Sequence, residues 1–249
     1  MTDHSTLVWA AIGSFIFIGY TLEAITGFGS IVIALSLGAL LVPIAQLLPV
    51  LVPLSVALSS TMVWRYRHLV DRPMLVRMIL PLMVTGTVVG YGIRPFLDAA
   101  LMRQLFGIFV LWFALRELWR MRFAGVSTAL PAWMARGVTF VAGVTQGLFA
   151  SGGPLLVYAL AGSPLDKSRF RATLAAVWMC LNVVLTTAFF LDGSLVPALP
   201  QVASYLPVLF IGVWIGEKLH KRVSEQHFRL AIYGLLLVTG SLLLIPRPQ

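Results

Sequence analysis

Glu23 closes the first long apolar run of this chain, and the turn-like stretch Thr26-Gly27-Phe28-Gly29-Ser30 follows it. It reads as the only acidic residue set inside an apolar span. A second break, Ser151-Gly152-Gly153-Pro154, follows a similar apolar run about half a chain later, and Gln146 stands before it much as Glu23 stands before the first. An ionisable group in lipid is expensive and marks a functional site by default. Glycine permits tight turns and close backbone approach. Non-helical backbone at membrane depth persists only where it packs in protein or lines a cavity. Breaks at matching positions of two apolar halves therefore point to the binding site of a transporter built from repeats.

The chemistry such breaks offer is anion binding. A helix is expected to start after each, at Ser30 and at Pro154, and helix N-termini present N–H groups and a positive dipole end. The candidate substrate-binding residues are Glu23, Gly27, Phe28, Gly29, Ser30, Gln146, Ser151, Gly152, Gly153 and Asn182. Glu23 is also the candidate for proton coupling, because a permanently ionised carboxylate would repel an anion. Asn182, Thr186 and the residue one turn earlier share one helical face. Ser55, Ser59, Ser60 and Thr61 offer hydroxyls in the equivalent segment of the first half. Arg169 and Arg171 suit either an anion entrance or lipid headgroups. The blander alternatives are glycines serving close helix packing, hydroxyls bonded to their own backbone and Glu23 in a structural hydrogen bond.

The elements that must position these groups are membrane helices. Hydrophobic residues make up 59% of the 249 and charged residues 11%. A soluble domain carries about a quarter charged residues, so this surface cannot face water. The expected fold is all-α and polytopic, without the period-two alternation of a barrel. Apolar segments fall at about 7–25, 29–42, 44–64, 74–92, 101–119, 137–150, 153–164, 172–191, 199–216 and 228–245. The second, sixth and seventh are short, and those at the breaks are candidates for re-entrant helices. The N-terminus Met1-Thr2-Asp3-His4 lacks a basic leader region, so the first segment is expected to be retained. The net charge of +9 is spread over short loops, where it reports topology and anionic lipids rather than nucleic acid. No P-loop, GxSxG or HExxH occurs. An enzyme, a cofactor and a metal are not expected.

The two halves repeat. Gly86-Thr87-Val88-Val89-Gly90 recurs as Gly212-Val213-Trp214-Ile215-Gly216, and Arg103 recurs as Arg229. We read residues 1–124 as one unit and 125–249 as a second, inverted one, together forming a single transmembrane domain. Inversion puts fifteen of the eighteen basic residues on one side, leaving Arg94, Arg103 and Arg247 on the other. Four crossings per unit would divide them evenly. The positive-inside rule favours inversion, with both termini periplasmic.

With these features in place, the chain resembles the TauE/SafE family of membrane permeases, the sulfite exporters. The resemblance rests on Glu23-Ala24-Ile25-Thr26-Gly27-Phe28-Gly29-Ser30, on Gly143 through Gly153 with Pro154, and on the paired glycine spacings. It implies secondary transport, as an exporter, of a small anion such as sulfite, thiosulfate or an organosulfonate across a bacterial inner membrane. Its expected partners are that anion, membrane lipids and protons. The family often carries a fuller glycine cluster at the first break, where Phe28 stands here. Two other readings remain open at this point: an ion-coupled uptake permease for an uncharged metabolite, and a non-transporting anchor subunit.

Overall fold

The computed structural model describes residues 2–26, 29–123, 130–219 and 225–245, and these are helices joined by short turns. Gly27 and Phe28 lie outside the described residues. In chain order the helices are α1 (Thr2–Thr26), α2 (Ser30–Gly38), α3 (Ile44–Tyr66), α4 (Arg72–Met74), α5 (Leu80–Ile93), α6 (Ala99–Phe123), α7 (Ala132–Phe149), α8 (Gly153–Ala159), α9 (Lys167–Leu191), α10 (Leu199–Leu219) and α11 (Glu225–Leu244). A π-helical turn, Leu75–Ile79, joins α4 to α5.

Six helical stretches among the described residues are long and apolar enough to cross a bilayer: Thr6–Ala24, Ile44–Leu69, Arg72–Phe96, Ala99–Phe123, Lys167–Leu191 and Val196–Gly216. Large apolar side chains such as Val88, Ile108, Leu115 and Trp214 are exposed on the outside, where lipid rather than water suits them. Trp64, Trp119 and Trp133 are exposed as well, as an aromatic belt requires.

The helices after the two breaks are shorter than their apolar runs. α2 has 9 residues and α8 has 7, so at about 1.5 Å per residue neither can span ~30 Å of hydrocarbon. α2 folds back on α1, and α8 on α7. At the first turn Gly29 has φ 103°, a left-handed conformation that glycine adopts without strain. At the second, Ala150 takes the same region at φ 51°.

Four helix pairs hold the bundle together: α1 with α10, α5 with α7, α3 with α9, and α6 with α11. The repeated glycine pairs explain two of them. Gly86 and Gly90 of α5 lie against the α7 backbone at Phe140, Gly143 and Val144, and Gly212 and Gly216 of α10 lie against Phe17 and Thr21 of α1. A Cβ on Gly143 would sit 2.5 Å from the Met83 carbonyl, and one on Gly216 would sit 2.5 Å from that of Thr21. Side chains there would force the helices apart.

Candidate substrate site

The two breaks border one cavity. Gly29, Ser30, Ile31 and Val32, at the start of α2, line one wall, and Ala150, Ser151 and Gly153, at the start of α8, line another. α1 contributes Glu23, α3 contributes Ser55, α7 contributes Gln146, and α9 contributes Trp178 and Asn182. The space open to water centres is about 30 Å³, enough for a water or two. A polyatomic anion enters only if the walls part.

Glu23 is buried. Its Oε2 accepts from the backbone N–H of Ser30 at 3.1 Å and from the Ser30 hydroxyl. The carboxylate therefore caps the start of α2. Gln146 does the matching job on α8: its Oε1 accepts from the Gly152 N–H at 2.9 Å. Its Nε2 donates to Asn182 Oδ1 at 2.8 Å, and Asn182 Nδ2 donates to Ser55 Oγ at 2.9 Å. One polar chain thus ties α8, α7, α9 and α3 together beside the cavity. Ser151 donates its hydroxyl to the Phe149 carbonyl at 2.9 Å.

Seven of the expected site residues thus line one cavity: Glu23, Gly29, Ser30, Gln146, Ser151, Gly153 and Asn182. Gly152 stands behind it on Gln146. Gly27 and Phe28 lie outside the described residues. The expected free helix N-termini differ in detail. Side chains already occupy the Ser30 and Gly152 N–H groups, because a buried helix start needs partners whether or not a ligand is present.

Arg171 of α9 is half-buried and tied to the end of α1. Its Nη2 donates to the Ala24 carbonyl at 2.5 Å, and its charge faces Glu23. Arg169 pairs with Asp71 at 3.4 Å. Tyr158 is not in the cavity wall, and the Arg116 guanidinium stacks on its ring at 4.1 Å. Glu23 is also not the only acid within an apolar span. Glu117 of α6 is buried and pairs with Arg116 and, at 2.7 Å, with Arg120. Its two flanking arginines pair with it directly, whereas Glu23 is held by the N–H and hydroxyl of Ser30. Trp178 was not singled out from the sequence. Its only signal is its place one turn before Asn182. A larger cavity, with about 410 Å³ open to water centres, lies between Pro43, Tyr91, Arg94, Met102 and Asp192 and holds none of the expected site residues.

A polytopic helical bundle with short helices meeting at a buried polar centre is a membrane protein with an internal site, and the family it matches is one of transporters. The family profile of the sulfite exporter TauE/SafE matches residues 11–243, and the chain belongs to that family. It is 27% identical over 243 residues to the probable sulfite/organosulfonate exporter TauE of Cupriavidus necator, covering 92% of this chain and 90% of that one. It is also 27% identical over 164 residues to the probable inner membrane transporter protein TsaS of Comamonas testosteroni, covering 65% of this chain and 68% of that one. No solved structure matches the chain.

Proposed function

We propose that this protein exports a small sulfur oxyanion or organosulfonate across the bacterial inner membrane as a secondary transporter, binding it in the cavity between the two breaks. One observation carries the reading: the starts of two helices from different halves of the chain border a single cavity with Glu23, Gln146 and Asn182 in its wall. The exporter named among its relatives supports the substrate class and direction. Gly29, Ser30, Ser151, Gly152 and Gly153 let backbone approach the anion, Gln146 and Asn182 orient the wall, and Gly27 and Phe28 complete the first break. Glu23 couples transport to protons. Ionised, it keeps the anion out and holds α2 through Ser30; protonated, it removes the repulsion.

The exchanged packing, α1 with α10 and α5 with α7, supports two related units that bury the same crossing twice. In this reading the units are inverted, the breaks enter from opposite faces, and both termini are periplasmic.

Thermal shift of the purified protein with sulfite, thiosulfate, sulfoacetate, acetate and chloride tests the site, in wild type and Glu23→Gln. A selective shift by a sulfur anion that changes with the variant is expected. No shift by any of them, with transport of an uncharged solute in vesicles, would favour the neutral-metabolite permease. Transport indifferent to a pH gradient, with Glu23→Gln fully active, would end the proton-coupling role.

A further inference from the structure

Three polar side chains on the seam between α3 and α9 lack a hydrogen-bond partner although their polar atoms are buried. They are Ser59 Oγ, Trp178 Nε1 and Thr186 Oγ1. Their positions are ordered. On α9, Trp178 lies four residues before Asn182 and Thr186 four after, so all three share one face. That face meets α3, because Asn182 Nδ2 donates to Ser55 Oγ at 2.9 Å. Ser59 lies one turn beyond Ser55 on α3. Eight residues at about 1.5 Å each spread the α9 positions over roughly 12 Å.

Hydroxyls in apolar helices ordinarily bond a carbonyl one turn back, and many here do. Ser36 bonds the Val32 carbonyl, Thr139 that of Ala135, and Thr187 that of Val183. Ser59 and Thr186 do not. Asn182 bonds Gln146 and Ser55, and no bond from it reaches Ser59, Trp178 or Thr186. A buried polar group without a partner is destabilising relative to an apolar group of the same shape. Three of them along one seam, one in the cavity wall at Trp178, mark groups kept for a passing partner.

We infer that the α3–α9 seam is the path of the substrate, with Trp178, Ser59 and Thr186 as successive hydrogen-bonding stations on either side of the Asn182–Ser55 bond. The inference rests on the anion-transport reading. It also narrows the ligand. An indole N–H only donates, so the group met at Trp178 is an acceptor such as a sulfur oxyanion oxygen, not a cation.

Trp178→Phe, Ser59→Ala and Thr186→Val each remove the polar group and keep most of the shape. The full chain, in vesicles of neutral lipid, is tested for labelled-sulfite transport and the purified variants for thermal stability. The expected result is an unchanged or raised melting temperature together with a KM for sulfite raised roughly tenfold per lost hydrogen bond. Variants that lose melting temperature and transport together would show structural hydrogen bonds and overturn the inference. Variants that carry sulfite like a working wild type would overturn it too and leave the anion reading standing. A wild type that carries no sulfur anion would overturn both.

Discussion

The amide of Asn182 accepts from Gln146 and donates to Ser55, so removing it strands two buried groups. Asn182→Leu is expected to destabilise the protein by roughly 2–6 kcal/mol, at about 1–3 kcal/mol per stranded group, read as a drop in melting temperature. Asn182→Asp differs in its cause. Its oxygens can accept from Gln146 and from the Ser55 hydroxyl, but it buries a second carboxylate in the cavity that holds Glu23. It is therefore also expected to lower the melting temperature and, ionised, to weaken sulfite transport by repelling the anion. Asp192, just past α9, carries a pH signature. Partial burial pushes its carboxyl up, but hydrogen bonds from Ser194 and Tyr91 and the charge of Arg94 outweigh this and hold it below the ordinary carboxylate range. A carboxyl depressed in the folded state stabilises above its unfolded pKa of about 3.9 and loses that contribution as pH falls through the folded value. Asp192→Asn should therefore lower the melting temperature at neutral pH, and the gap to wild type should narrow as the pH falls below the unfolded carboxylate value of about 3.9. At this scale the sequence displayed Glu23, Gln146 and Asn182 because polar groups stand out in apolar runs. It hid the bonds between them, which join residues 36 and 127 positions apart. Trp178 was hidden because a tryptophan in an apolar run looks like core.

Helix crossings are where the glycines act. Gly143→Ala and Gly216→Ala each push a Cβ to 2.5 Å from a neighbouring helix carbonyl, and backbone cannot yield as a flexible side chain does. Each is expected to destabilise by about 1–3 kcal/mol and by similar amounts, because α5–α7 and α1–α10 are built alike. Gly137→Ala is the control: nothing lies within 4 Å of its Cβ position, so alanine should gain roughly 0.5–1 kcal/mol in the helix. Thermal unfolding in one detergent compares all three. The glycine spacing was legible in the sequence; which helix each pair meets was not, since the partner lies in the other half. Helix ends were legible only where capping follows the apolar run. α9 begins at Lys167, before its apolar stretch, because the Asp166 carboxylate accepts from the Ser168 and Arg169 N–H groups. α2 ends at Gly38 although apolar residues continue to Val42. Hydropathy reports what a segment faces, not whether it stays helical.

The whole molecule is predicted to be a pair of inverted units, and that arrangement can be read from outside the cell. The turn after α3 and the turn after α9 occupy equivalent places in the two halves. In parallel units with an even number of crossings they would share a face; in inverted units they cannot. The turn after α3 carries Arg67 and His68, and Arg72 opens α4 just beyond it, whereas the turn Asp192-Gly193-Ser194 carries no basic residue, and basic loops stay cytoplasmic. Cys180 is the single cysteine of the chain, so a Cys180→Ser background is blank to thiol reagents. In that background Ser194→Cys should react in intact cells with a reagent that cannot cross the inner membrane, and His68→Cys should react only after permeabilisation. Labelling of both from the same side would rule out inversion. It would also remove the reason for two breaks to approach one cavity from opposite faces, leaving alternating access to be explained without the exchange of equivalent halves. Labelling from opposite sides would give the shared cavity its mechanical meaning: each half opens it toward one face, and the short helices α2 and α8 are the parts that must move apart for an anion to pass.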